Sequence, residues 1–380
     1  MRERFPGIHD GWARFDGPAG TQMVDRAIEA MTEHVAGGSS ANSGGFFAAS
    51  EITGSLTAQA RLSVATLLGA DPEGIVFGPN MTTLTFALTR AIARTLRPGD
   101  EILGTRLDHD ANVTPWAMAA NDVGASLVLA PFDTATGRLH PEAVIERITP
   151  RTRWVAITGA SNALGTMPDL APVVAAAHEA GARVFVDGVH LVPHRRVDLS
   201  VIGCDAFVTS AYKWYGPHAA VVWLSGELRD SLTPYKVRPA PHRAPERWET
   251  GTPSYEAIAG VDAAARFLLE QGMDRMAAAE LQVFEPLLAG LLELGNVRVH
   301  GPTELVARTP TVCFSVSGHH PDKVAAELAA RRIAVWSGSY YAVEVMAALG
   351  LGDGAVRAGV SRYTSAEDVE RLLDAVGSLR

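Results

Sequence analysis

Apolar positions along the chain change their period many times, and the changes mark out its elements. From Met23 to Ala36 the spacing is helical, and Gly37-Gly38 stops it; Glu51 to Leu68 reads as a second helix, ended by Gly69. Short apolar runs then alternate with helical patterns. The runs Gly74–Phe77, Glu101–Leu103, Ser126–Ala130, Trp154–Thr158, Arg183–Val186, Ala206–Thr209 and Ala220–Leu224 read as strands. Between them, Met81–Leu96, Val113–Val123 and Leu170–Ala180 read as helices. Such alternation predicts an α/β domain built on a mostly parallel sheet covered on both faces.

Residues 1–15 precede this pattern and read as an N-terminal arm. The large domain is expected over 16–256, ending in a surface loop rich in Pro, Arg and His from Pro234 to Pro253. Residues 257–380 are expected to form a connecting helix, from Ala257 to about Leu269, and a small α+β domain. In that domain Asn296–His300, Pro310–Val316, Ile333–Trp336 and Ala355–Val360 read as strands, with helices near Asp322–Ala330 and Ala366–Val376.

The formal net charge of -9 argues against nucleic acid or an anionic membrane as the main partner, since both require clustered cations. No apolar run approaches the 18 or so residues of a membrane span, and no apolar stretch follows the charges of the N-terminus, so the expected compartment is the cytoplasm. The only cysteines are Cys204 and Cys313, too few for a disulfide framework or a thiolate-rich metal site. Both read as packing residues in or beside strands. Lysine is scarce as well: Lys213, Lys236 and Lys323 are the only candidates for chemistry that needs an amine.

In open α/β sheets ligands sit at the carboxyl ends of the strands. The strand from Arg183 ends at Asp187, and the strand from Ala206 runs into Ser210 and Lys213. An Asp and a Lys at neighbouring strand ends suit pyridoxal phosphate: the amine forms the Schiff base, and the carboxylate holds the pyridinium proton. A structural ion pair remains the alternative reading of these two residues alone. Gly78-Pro79-Asn80-Met81-Thr82-Thr83, between a strand and a helix, offers backbone N–H groups and hydroxyls for a phosphate, although Asn and Thr there also serve as ordinary helix caps. No dinucleotide fingerprint and no P-loop is present. Asp187, His190 and His194 are spaced suggestively for a metal, but Pro193 interrupts them, and no metal is expected.

Five segments occur in order: Asp108-His109-Asp110-Ala111-Asn112-Val113-Thr114-Pro115-Trp116, Ser161-Asn162-Ala163-Leu164-Gly165-Thr166, Asp187-Gly188-Val189-His190, Ser210-Ala211-Tyr212-Lys213 and Glu249-Thr250-Gly251-Thr252-Pro253. Together they resemble the class V aminotransferase family of fold-type I pyridoxal-phosphate enzymes, and within it the cysteine desulfurase-like proteins. The resemblance implies that Lys213 carries the cofactor, Asp187 pairs with the pyridine nitrogen and His190 lies near the phenolic oxygen. It implies Met81, Thr82 and Ser210 at the phosphate, with Thr252 reaching the phosphate of the other subunit of a homodimer. Asn162 would sit near the cofactor oxygen and the substrate carboxylate, and Arg357 would grip that carboxylate through two parallel hydrogen bonds.

Two departures qualify the resemblance. Relatives stack a His on the cofactor from the first segment; the aligned position is Asp110, which could instead hydrogen-bond the cofactor, move a proton or cap a helix. Persulfide-forming desulfurases need a mobile cysteine ahead of the position of Arg357; Trp336 to Gly354 contains none and offers Ser339, Tyr340 and Tyr341 instead. The expected activity is thus that of a pyridoxal-phosphate enzyme acting at Cα of a small amino acid, a carbon–sulfur lyase without a persulfide cysteine. Aminotransfer, epimerisation and a non-catalytic binding protein of the same fold are the alternatives. Borohydride reduction followed by peptide mass mapping should place the cofactor on Lys213; label on Lys236 or Lys323 would overturn this assignment.

Overall fold

The computed structural model describes residues 1–379. The chain opens with two short 3-10 turns, Arg2–Arg4 and Pro6–Ile8, and a two-residue strand, β1 (Ala13–Arg14). The main sheet follows, from β2 (Ile75–Gly78), β3 (Glu101–Thr105), β4 (Ser126–Ala130), β5 (Thr152–Thr158), β6 (Arg183–Asp187), β7 (Ala206–Ser210) and β8 (Ala220–Leu224). Its order is β2-β8-β7-β6-β5-β3-β4. Only β8 runs against its neighbours, pairing antiparallel with both β2 and β7. Apolar side chains on both faces of β6 and β7 are buried, as a sheet covered on two sides requires.

A second sheet is antiparallel, in the order β12-β13-β10-β9. Its strands are β9 (Val297–His300), β10 (Thr311–Val316), β12 (Trp336–Gly338) and β13 (Ala355–Gly359); β11 (Ile333–Ala334) lies outside it and pairs parallel with β1. One face packs on the helices Met273–Glu293, Pro321–Ala330 and Ala366–Gly377, through Val312, Phe314, Val356 and Ala358 against Phe284, Leu288 and Leu372. Strand side chains alternate between faces, so Cys313 and Arg357, paired across β10 and β13, point the other way, toward the main sheet.

Two expectations need correction. The helix Met273–Glu293 was not foreseen, because Pro286 interrupts its pattern and removes one ladder hydrogen bond. Burial of Phe284, Leu287, Leu288 and Leu291 along one stripe holds it together nonetheless. The run Ile333–Trp336 is two strands in different sheets rather than one. The first 15 residues pack on the rest of the chain: β1 pairs with β11, Arg2 bridges Asp368 at 2.6 Å, and Phe5 is fully buried. Phe5 lies edge-on to Tyr215, Phe267 and Tyr363, with centroids 5.2, 6.1 and 5.1 Å away.

The loop before the long helix Tyr255–Gln271 is anchored by Glu249. Its Oε1 accepts from the Phe77 N–H at 2.8 Å, and Arg61 donates to both carboxylate oxygens at 2.9 and 2.8 Å. An otherwise unpaired donor of edge strand β2 is thereby satisfied. Among the described residues no helix is long and apolar enough to cross a membrane. Phe5→Ala should cost about 3–5 kcal/mol, the usual loss for truncating a buried aromatic. A urea midpoint equal to that of the parent protein would show that the arm contributes nothing.

Candidate active site

The carboxyl ends of the parallel strands converge on one place, and each supplies a polar group. β6 ends in Asp187, which is followed by Gly188; a Cβ at Gly188 would lie 1.8 Å from Cζ of Phe207, so only glycine fits there. The Val189 N–H donates to Asp187 Oδ1 at 2.9 Å, while the other carboxylate oxygen receives no hydrogen bond from the protein. β7 ends in Ser210 and turns through Ala211–Lys213. Beyond β2, Asn80 caps the helix Met81–Ala93 by accepting from the Thr83 N–H at 2.8 Å, and the Met81 N–H reaches Ser210 Oγ at 3.3 Å. β5 leads into Asn162 and β3 into His109.

These ends enclose an inner cavity of about 40 Å3, lined by Met81, Thr82, His109, Asn162, Asp187, His190, Tyr212 and Lys213 among others. Lys213 and Asp187 are both buried. Burial lowers the Lys213 amine to about 8; nearby Arg357 lowers it further and Asp187 opposes the fall. Burial likewise raises the Asp187 carboxyl to about 6, opposed by the Val189 N–H and by Lys213. His190 Nε2 meets Thr311 Oγ1 at 2.9 Å, and its Nδ1 is buried without a partner. Burial holds the imidazole neutral, and His194, Lys213 and Arg357 act in the same direction. Behind it, His194 packs edge-on at 5.3 Å and pairs through Nδ1 with Glu280 at 2.8 Å; Tyr215 donates to the same carboxylate at 3.2 Å.

An outer cavity of about 730 Å3 opens from Lys213, Asn162 and His109 toward the second sheet. Arg357 closes it: its guanidinium lies 4.4 Å from the Tyr340 ring centroid, NH1 donates to the Asn162 carbonyl at 2.8 Å, and Nε has no partner. Asn162 Nδ2 in turn donates to the Tyr340 carbonyl at 2.9 Å, and its Oδ1 is buried and unpartnered. Tyr340 and Tyr341 both have left-handed backbones, with φ of 53° and 58°, a strained conformation for bulky residues. The Asp110 N–H holds the Tyr341 carbonyl at 2.6 Å, and the His109 ring stacks on Tyr341 at 5.5 Å.

Placement of the expected residues is uneven. Lys213, Asp187, His190, Met81, Thr82 and Asn162 line the inner cavity, with Ser210 at its edge, and Arg357 lines the outer one. Asp110 does not line the inner cavity; His109, one residue earlier, does, and Asp110 faces only the outer. The cause is local: His109 Nδ1 accepts from the Ala111 N–H at 3.0 Å, opening the turn Asp110–Asn112, so its ring swings in and the next side chain swings out. Burial lowers the His109 imidazole to about 3, helped by Lys213 and Arg357, so its ring is neutral. Thr252 is exposed and lies in a separate cavity beside Gly78, Pro79 and Thr83. Tyr212, Tyr340 and His109 also line the cavities; sequence reasoning assigned none of them a role, though His109 and Tyr212 stood within its motifs and Tyr340 in the segment that lacks a thiol. Among the described residues no group of three or more His, Cys, Asp or Glu is arranged to hold a metal.

An amine and a carboxyl buried together, a helix N-terminus with a hydroxyl beside it, and buried unpartnered atoms on His190 and Asn162 define a site for an aldehyde cofactor with a phosphate tail. Comparison with known proteins agrees. The Aminotransferase class-V family pattern matches residues 14–372, and the chain belongs to that family. A probable cysteine desulfurase of Pseudomonas putida is 33% identical over 95% of this chain and 92% of its own length. Among solved structures, a cysteine desulfurase of Thermococcus onnurineus superposes with a TM-score of 0.93 at 28% identity, covering 98% of this chain and 95% of that one. The cysteine desulfurase CsdA of Escherichia coli gives 0.91 at 27%, covering 99% and 96%. The protein has the fold-type I architecture and is a pyridoxal-phosphate-dependent enzyme, and the residues present fit that cofactor.

The amine attacks carbonyls only when neutral, and its neutral fraction rises with pH. In cofactor-free protein, reductive methylation of Lys213 should therefore rise to half its limit near pH 8, as mapped by peptide mass. A midpoint near the ordinary 10.5 would show that burial does not act on this amine.

Proposed function

We propose that the protein is a carbon–sulfur lyase acting on a small amino acid, with no persulfide formed on the protein. The observation that carries this reading is where the thiols lie. Cys204 and Cys313 are the only cysteines, both are buried, and neither lines the inner or the outer cavity. Burial pushes the Cys204 thiol far up and the Cys313 thiol to about 12, whereas persulfide formation needs an accessible thiolate. Cys313 stands beside Arg357 in the sheet register but is fully enclosed. The wall that faces Lys213 from the second sheet carries Ser339, Tyr340 and Tyr341 instead of a thiol.

In this reading Lys213 and Asp187 hold the cofactor at its aldehyde and pyridine ends, and His190 and Asn162 stand by its ring oxygen. Met81, Thr82 and Ser210 take the phosphate, and Thr252 of the partner subunit completes that site in a homodimer. His109, which lines the inner cavity where Asp110 does not, would be the residue to meet the ring. Pyridoxal phosphate, when bound, supplies a sink for the electron pair left at Cα. Arg357 grips the substrate carboxylate, its unpartnered Nε and its stacking on Tyr340 leaving the guanidinium plane ready for two parallel bonds. Lys213, favoured as the neutral amine by burial, takes the Cα proton. The carbon–sulfur bond breaks with its electron pair on sulfur. Overall, a thioether amino acid and water give a thiol, pyruvate and ammonium.

The Cys204→Ser, Cys313→Ser double variant, once its cofactor content confirms folding, should retain most of its turnover, with sulfur leaving as sulfide or a small thiol. A well-folded but inactive variant, or a mass gain of one sulfur on either cysteine during turnover, would make the protein a thiol-dependent desulfurase. Products that keep the sulfur in the amino acid would point instead to aminotransfer or epimerisation.

A further inference from the structure

Asp110 has no role in the reading above, and its setting is unusual. It is partly exposed, lines the outer cavity with Lys213 and Arg357, and makes no ion pair within 4.0 Å among the described residues. The Thr114 hydroxyl donates to Oδ2 at 2.9 Å and the Asp110 N–H is held by the Tyr341 carbonyl, so the carboxylate is fixed in place. Oδ1 receives no hydrogen bond. The nearest arginine in sequence, Arg106, is engaged with Glu344 at 2.8 Å. Three aromatic side chains, Phe86, Trp336 and Tyr341, line the same cavity, with Trp336 52% and Tyr341 72% exposed.

We propose that the group departing with sulfur carries a cation, and that Asp110 together with Phe86, Trp336 and Tyr341 recognises it. This inference rests on the lyase reading. Of the charged groups in the outer cavity, Lys213 is committed to the cofactor and Arg357 to the substrate carboxylate. Asp110 is the remaining one, and its anion disfavours an acidic side chain and attracts an ammonium. Rings that present their faces to a cation add to the attraction. His109, held neutral, supplies no compensating charge. The substrate class is therefore a thioether amino acid whose sulfur substituent ends in an amine, rather than free cysteine.

The test uses the holoenzyme and two probes of equal length, S-(2-aminoethyl)-L-cysteine and S-propyl-L-cysteine. Their dissociation constants are read from the cofactor absorption spectrum. The amine should bind about tenfold more tightly, as expected for one charge-assisted hydrogen bond. In Asp110→Asn the ratio of the two constants should fall toward one. Equal or inverted constants in the parent protein, or a ratio that survives in Asp110→Asn, would overturn the proposal. Release of thiol and pyruvate is followed separately. If neither probe yields them, the lyase reading falls, while the ratio of constants still decides what Asp110 recognises.

Discussion

The structure is organised around the cost of keeping one amine and one carboxyl out of water at neighbouring strand ends. Either charge alone would be expensive to bury, and each is tolerable because the other is near. Burial draws their titrations toward each other, the amine down to about 8 and the carboxyl up to about 6. The rest of the fold supplies what such a pair needs. Parallel strands bring their ends to one side, Gly188 lets the Phe207 ring pack against the backbone that follows Asp187, and the second sheet closes the far side. A shallower site would leave Lys213 as an ordinary surface ammonium, with no nucleophile at neutral pH.

Much of this was legible in the sequence, because the main sheet obeys local rules. Its strands are short apolar runs separated by helical periods, and Asp187 and Lys213 follow two of them directly. What escaped was decided by contacts distant in sequence. Pro286 hid a helix whose stability comes from a buried stripe, and what holds the arm in place was not readable because Phe5 finds its partners at Tyr215, Phe267 and Tyr363. The position of Asp110 was misjudged for a subtler reason. Alignment assigned the inward place by residue count, whereas the turn Asp110–Asn112, capped by the His109 ring, decided it. Tyr340 and Tyr341 stood out in the sequence only as residues in place of a thiol, since their left-handed backbone is one that their residue type disfavours.

At the site, directed polar contacts join the two sheets beside the apolar packing they share. Arg357 to the Asn162 carbonyl, Asn162 to the Tyr340 carbonyl, Asp110 to the Tyr341 carbonyl and Arg106 to Glu344 all cross from one to the other. Two of these depend on the left-handed residues, each of which costs about 1–3 kcal/mol to hold. The wall of the substrate cavity is thus an under-tension loop pinned by polar clasps, and its shape reports how the sheets are seated. Behind the inner cavity, the succession His190, His194, Glu280 and Tyr215 extends the polar character of the site into the core, where water does not reach.

The alternation along β13 has an evolutionary corollary. Val356 and Ala358 are committed to the helix-covered side, and Arg357 between them to the cavity. Adding or deleting a single residue within the strand would exchange these destinations, sending a guanidinium into an apolar layer and an alkyl group toward the substrate. Related chains should therefore tolerate a longer or shorter turn ahead of β13, at the unhindered Gly350 and Gly352, but not a change of length in the strand itself. Diversity of substrate should accumulate as changes of side chain on the cavity wall, with indels confined to the approach.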